Sequence, residues 1–180
     1  MAEAETDLHE RQSQDPMDTL RHTTSHVMAQ AVAQLFPGTK FAIGPSIADG
    51  FYYDFELPEA IGQDDLKRIE KQMRKIIAAK IPLEHIEVPR DEAIRRMQEA
   101  DQPYKVELIE AIESPTVTFY QQGDFIDLCR GPHLETTGGV KAFKLLSVAG
   151  AYWRGNEHNT MLTRIYGTAF PTKPELHEHL

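Results

Sequence analysis

His22 and His26 stand four positions apart in the run His22-Thr23-Thr24-Ser25-His26, and Cys129 and His133 repeat that spacing in Cys129-Arg130-Gly131-Pro132-His133. Each pair offers two side chains that ligate metals or carry protons. The first pair lies in a stretch with helical spacing, so both imidazoles project from one face and can address one centre. The second contains Gly131 and Pro132, which forbid a regular helix and imply a tight loop with Cys129 and His133 at its two ends. Three imidazoles and the chain's only thiol could therefore converge. That set suits tetrahedral zinc, or acid–base chemistry without a metal.

Positioning these groups requires a core, and 180 residues suffice for one compact domain. No apolar run approaches the roughly 18 to 20 residues of a membrane span, and no signal-peptide pattern opens the chain. A lone Cys129 cannot form an internal disulfide, which fits a reducing cytoplasm. The formal net charge of −9 argues against a general nucleic-acid clamp, because neutralising phosphates needs clustered Lys and Arg. Much of that charge is local: residues 1 to 18 carry Glu3, Glu5, Asp7, Glu10, Asp15 and Asp18 against Arg11 alone. The remainder is only mildly acidic, and Lys141, Lys144, Arg130, Arg154 and Arg164 read either as a local basic rim or as a scattered, solvated set.

Residues 1–17 are acidic and poor in large apolar groups, the composition of a disordered arm. From Asp18 or Thr19, either of which can cap, Leu20, Val27, Met28, Ala31, Val32 and Leu35 recur at helical spacing until Pro37-Gly38. This helix carries His22 and His26. Phe41-Ala42-Ile43 and Phe51 to Phe55, separated by turn residues, predict a β-hairpin. Leu66, Ile69, Met73, Ile76 and Ile77 mark the inward stripe of a second helix opened by Asp64-Asp65. A strand over 83–88, short helices over 91–100 and 104–109, and a hairpin of 116–120 with 124–128 about a turn at Gln121-Gln122-Gly123 lead into the Cys129 loop. Strands follow over 142–148 and 161–169, then a helix begun over 174–180. Hairpins with helices between them, lacking regular strand–helix alternation, predict an α+β fold with a mainly antiparallel sheet. No glycine-rich phosphate loop follows a strand.

Four motifs occur in order: Lys40-Phe41-Ala42-Ile43-Gly44-Pro45, Gly50-Phe51-Tyr52-Tyr53-Asp54, Asp127-Leu128-Cys129-Arg130-Gly131-Pro132-His133 and Gly150-Ala151-Tyr152-Trp153-Arg154-Gly155. Together they closely resemble the editing domain of bacterial-type threonyl-tRNA synthetase and, more distantly, that of alanyl-tRNA synthetase and its freestanding relatives. The resemblance implies an editing domain over residues 18–170 and, over 171–180, the start of a linker helix towards a catalytic core that the chain lacks. The chain is thus expected to be an excised editing fragment.

The implied activity is hydrolysis of the ester joining serine to the 3′ end of threonine tRNA, in the cytoplasm, with that RNA end and the rest of the synthetase as partners and no membrane. The resemblance places His22, His26, Cys129, His133, Lys105 and Asp127 in the catalytic site, with Tyr53 and Arg130 on substrate; zinc on His22, His26, Cys129 and His133 is possible but not required. Blander readings stand beside these. Lys105 alone reads as a surface lysine, Tyr53 as core with its hydroxyl at a rim, Asp127 as an anchor for the loop backbone, and Trp153 as packing. Two further functions compete: an alanyl-type deacylase with tight zinc, and a non-catalytic module knotted by zinc. A thiol sensor is disfavoured, because Cys129 has no resolving partner.

Overall fold

The computed structural model describes residues 15–180, so most of the expected acidic arm lies outside the described residues. Helix α1 runs over Pro16–Leu35, three residues earlier than a cap at Asp18 would allow. Asp15 is the cap: its carboxylate accepts the Met17 N–H at 2.9 Å, and Pro16 supplies a preset φ where no N–H is needed. Residues 16 and 17, assigned to the arm from composition, form the first helical turn.

The remaining elements are β1 (Lys40–Phe41), β2 (Ser46–Ile47), β3 (Gly50–Glu56), α2 (Gln63–Ala78), β4 (Glu84–Pro89), α3 (Arg90–Glu99), α4 (Pro103–Glu110), β5 (Thr116–Gln122), β6 (Phe125–Leu128), β7 (Ala142–Tyr152), β8 (Met161–Phe170) and α5 (Lys173–His179). They form an α+β architecture whose strand pairs are all antiparallel. One sheet has the order β1-β3-β8-β7, with β2 also on β3; the other has the order β4-β5-β6. In β7 a bulge at Leu146 shifts the register and turns that leucine outward, 40% exposed.

Helix α1 touches β3 and β8 of the first sheet and β6 of the second, with α2 against it. Every residue from Leu20 to Val32 is consequently buried, polar ones included. The apolar stripe expected from spacing is present, but the opposite face, which carries polar residues, is covered as well. The main core joins Val27, Met28, Phe51, Phe55, Ile69 and Met73, while Val88, Ala93, Met97, Ile109, Val117 and Phe119 form a second core under the small sheet.

The β5–β6 turn differs from expectation. Gln122 pairs with Phe125, so Gly123 and Asp124 alone make the loop, and Gln121 and Gln122 are strand. Gly123 at φ 61 supplies the left-handed backbone that a two-residue loop needs. Gln122 is drawn into the strand by burial, its amide donating to Gln30 Oε1 at 2.8 Å. Among the described residues no helix is long and apolar enough to cross a membrane.

Replacing the cap tests where α1 begins: Asp15→Ala is expected to cost about 1 kcal/mol of unfolding free energy in urea titration, as loss of an N-cap side chain does.

Candidate active site

The fold brings the two residue pairs together. His22 and His26 leave α1 one turn apart, their rings 4.9 Å between centroids. Strand β6 alternates, so Phe125 and Asp127 point inward, and the Cys129 N–H still pairs with Thr118 O at 3.0 Å, which delivers the thiol at the strand's end. The chain then turns sharply at Gly131, φ 79, and the Gly131 N–H donates to Cys129 Sγ at 3.2 Å. Only glycine serves there, because a Cβ would strike the Tyr120 hydroxyl. The turn returns His133 to the cluster, 4.3 Å from the His26 ring and 4.5 Å from the His22 ring between centroids.

The sulfur lies at the centre of this cluster. Cys129 Sγ is 3.1 Å from His133 Nε2 and 3.4 Å from His22 Nε2. His22, His26 and Cys129 are buried and His133 partly so, leaving His133 the most accessible of the four. Burial pushes the Cys129 thiol well above its ordinary range, outweighing the Gly131 N–H that favours thiolate. The sulfur is therefore held as a neutral thiol. Burial also holds His26 well below the usual imidazole range, with the charges of His22 and Lys105 adding to the effect, and does the same to His133, with His26 adding.

One potential ligand atom from each of the four residues lies within 4.8 Å of the others, a group that could hold a metal ion. Bonds of about 2.0–2.1 Å to nitrogen and 2.3 Å to sulfur put tetrahedral donors roughly 3.3–3.7 Å apart. The sulfur–nitrogen distances of 3.1 and 3.4 Å are close to that spacing, and among the described residues the buried His26 Nδ1 has no hydrogen-bond partner. The donor set, with His26 and His133 held uncharged by burial, fits zinc.

Beside the cluster lies a buried ionic network around Asp127. Its Oδ1 is 2.6 Å from Lys105 Nζ, its Oδ2 accepts the Tyr53 hydroxyl at 2.7 Å, and His26 Nε2 stands 3.5 Å from the same Oδ2. Side-chain exposure is 6% for Lys105 and 2% for Asp127, so Lys105 is no surface lysine. Helix α4 directs it inward next to Tyr104, which packs on Trp153. Tyr53 combines both readings of it. Its ring stacks on Phe55 in the core, its hydroxyl serves Asp127, and burial followed by that carboxylate raises its pKa. Asp127 spends its oxygens on side chains and not on the loop backbone.

Arg130 does not join them: it is exposed, outside the buried cluster. Of the five basic residues, Arg164 is held by Asp54 through two hydrogen bonds of 2.8 and 2.9 Å, and Lys144 lies 3.3 Å from Glu70. Arg154 stacks over Trp153, whose indole N–H donates to Glu107, so Trp153 is packing. Sequence reasoning missed Thr23, whose Oγ1 lies 3.0 Å from His133 Nδ1 and accepts the Leu134 N–H at 3.0 Å. Its position between the two α1 histidines was the available signal.

Residues 117–166, from β5 through the Cys129 loop to β8, match the family described as the threonyl and alanyl tRNA synthetase second additional domain. Along nearly its whole length the chain is also similar to threonine–tRNA ligases. That of Acetivibrio thermocellus is 57% identical over 164 residues, 91% of this chain and 26% of the relative. That of Clostridium tetani is 56% identical over 163 residues, covering 90% and 26%, and that of Rubrobacter xylanophilus 54% over 168, covering 93% and 26%. The chain carries the second additional domain match over residues 117–166. It spans about a quarter of the length of these curated relatives, 26% in each case. Within this second additional domain the stretch matched by the family contains Asp127, Cys129 and His133, whereas His22, His26, Tyr53 and Lys105 precede it and are brought in by α1, β3 and α4.

Two stability outcomes follow from this geometry. Asp127→Asn leaves the Lys105 ammonium buried opposite a neutral amide and should cost about 3–5 kcal/mol, against about 1–2 kcal/mol for Tyr53→Phe, both read from urea midpoints. Because His26 and His133 have folded-state pKa values below those of the unfolded chain, the unfolded state binds more protons under acid conditions. Stability is therefore full above about pH 6.5 and declines as pH falls below it. His26→Gln should flatten that slope in denaturant titrations between about pH 8 and 5.

Proposed function

We propose that this chain is the proofreading part of a threonine–tRNA ligase and that it hydrolyses the ester linking serine to the 3′ end of threonine tRNA. The observation carrying the reading is the buried cluster of His22, His26, Cys129 and His133 set against the Lys105–Asp127–Tyr53 network, in a chain that carries this family match. The curated relatives are threonine–tRNA ligases, which favours the threonyl over the alanyl type. The chemical need is plain. Serine lacks one methyl group of threonine, a difference worth about 1–3 kcal/mol in a binding pocket, so a synthetic site alone passes errors.

The substrate enters from the side of His133 and the exposed Arg130, where the ribose and phosphate of the RNA end meet solvent. Lys105, paired with Asp127, carries hydrogen-bond donors, so it suits holding the ester carbonyl or the serine hydroxyl. Removal of a proton from the attacking water falls to an imidazole of the cluster, and His22 is the candidate. The departing ribose oxygen takes a proton from a nearby imidazole or from its own neighbouring hydroxyl. Cys129, a neutral thiol, orients the rings around it and does not attack. Zinc, when bound, would be held by His22, His26, Cys129 and His133, and it would supply Lewis-acid polarisation only where substrate or water takes one of these four positions. The chain's net charge of −9 means that most affinity for the RNA body comes from elsewhere in the ligase.

Single-turnover hydrolysis of seryl-tRNA and threonyl-tRNA of the threonine isoacceptor tests the proposal. Faster loss of the seryl ester is expected, with His22→Ala and Cys129→Ala slowed by about 10²- to 10⁴-fold. No hydrolysis by folded chain in excess, or unfolding on chelation, would favour the structural zinc module instead.

A further inference from the structure

We propose that Thr23 is a positioning residue that holds His133 in the tautomer with its proton on Nε2. Thr23 is fully buried on α1, so its hydroxyl proton needs an acceptor within the protein. A helical threonine normally has one in the carbonyl four residues back. Thr24 uses it, donating to Leu20 O at 2.7 Å, and Ser25 donates to His22 O at 2.7 Å. Thr23 does neither. Its oxygen accepts the Leu134 N–H at 3.0 Å, and among the described residues its other partner is His133 Nδ1 at 3.0 Å.

The proton count then selects one arrangement. If His133 carried its proton on Nδ1, the Thr23 oxygen would receive two N–H donors and its own buried proton would be left without an acceptor. With the Thr23 proton donated to Nδ1, that hydroxyl donates once and accepts once. His133 then bears its proton on Nε2, which faces Cys129 Sγ at 3.1 Å. The sulfur accepts this proton's hydrogen bond together with the Gly131 N–H, and its own S–H points to the His22 ring at 3.4 Å. A directed chain runs from Thr23 through His133 and Cys129 to His22.

The same threonine also anchors the loop, because the Leu134 N–H it accepts lies directly after His133. Position and tautomer of His133 are set by one side chain. In this form His133 presents a hydrogen-bond donor to whatever replaces or approaches the sulfur, so it serves as a clamp on oxygen, and the role of base is left to His22. Ligation of a metal through Nε2 needs the opposite tautomer and strands the Thr23 proton, so Thr23 biases the cluster towards the metal-free arrangement.

The inference rests on the geometry of the cluster and not on the identity of the substrate, and its test is separable from that of the deacylase reading. Long-range nitrogen–proton correlation spectra of chain carrying nitrogen-15 histidine, chelator-treated and at about pH 8, report which ring nitrogen is protonated, with His133→Asn used to assign the signal. The expected result is Nε2 protonated at His133 in the wild type. Thr23→Val should shift the tautomer ratio by about tenfold towards Nδ1, the effect of one hydrogen bond, and Thr23→Ser should restore it. A wild-type spectrum with His133 protonated on Nδ1 overturns the proposal. So does an unchanged ratio in folded Thr23→Val, and the wild-type and Thr23→Ser spectra decide the matter if the valine variant unfolds. Should the chain prove inactive on seryl esters while the spectra behave as expected, the role of Thr23 stands and the proposed reaction falls.

Discussion

Asp127 is a carboxylate with 2% exposure, and the arrangement around it depends on meeting the cost of that burial. A lone charge there would be expelled or neutralised. Lys105 balances the charge, Tyr53 adds a hydrogen bond, and His26 lies against the same oxygen that Tyr53 serves. These partners come from α4, β3 and α1, while Asp127 belongs to β6, so one carboxylate ties both sheets and two helices at a single point. Such a pair contributes little net stability over an apolar equivalent, but removing either member leaves a naked charge. Positioning is what it supplies: β6 cannot slip by one residue without turning Asp127 outward.

The cluster next to it follows from the same dryness. Burial keeps the Cys129 thiol protonated and His26 and His133 uncharged, so hydrogen bonds, and not ionic attraction, arrange these groups in the metal-free state. Neutral imidazoles are also the form that takes a proton or ligates a metal. The site is thus held at a point from which either chemistry is accessible, and the orientation of one hydroxyl, that of Thr23, separates them. Gly131 has a comparable part at the loop, since its left-handed backbone and missing Cβ let the chain pass under Tyr120 and return His133 to the sulfur.

The basic residues are arranged for the fold more than for a polyanion. Arg164 lies between Asp54 and the Tyr52 ring, and Lys144 faces Glu70. With a net charge of −9, such a domain meets an RNA end by local fit and leaves the long-range attraction to other parts of the protein.

Much of this was legible in the linear chain. The i, i+4 histidines and the Gly-Pro loop pointed to one centre, alternation and helical spacing located the elements, and the motifs from Lys40 to Gly155 identified the family. These features are local, set by periodicities of two and 3.6 residues or by residues with special backbone freedom. What tertiary structure decided was the environment of each side chain. Spacing showed one covered face of α1, but α2 and strands of both sheets contact it, and its burial makes Thr23 a partner of His133 instead of a solvated threonine. Lys105 looked like any lysine until α4 turned it onto Asp127, and Gln122 looked like a turn residue until burial drew it into β5. Burial and charge pairing come from contacts between residues tens of positions apart, such as Lys105 with Asp127 or Thr23 with His133, which sequence periodicity does not encode.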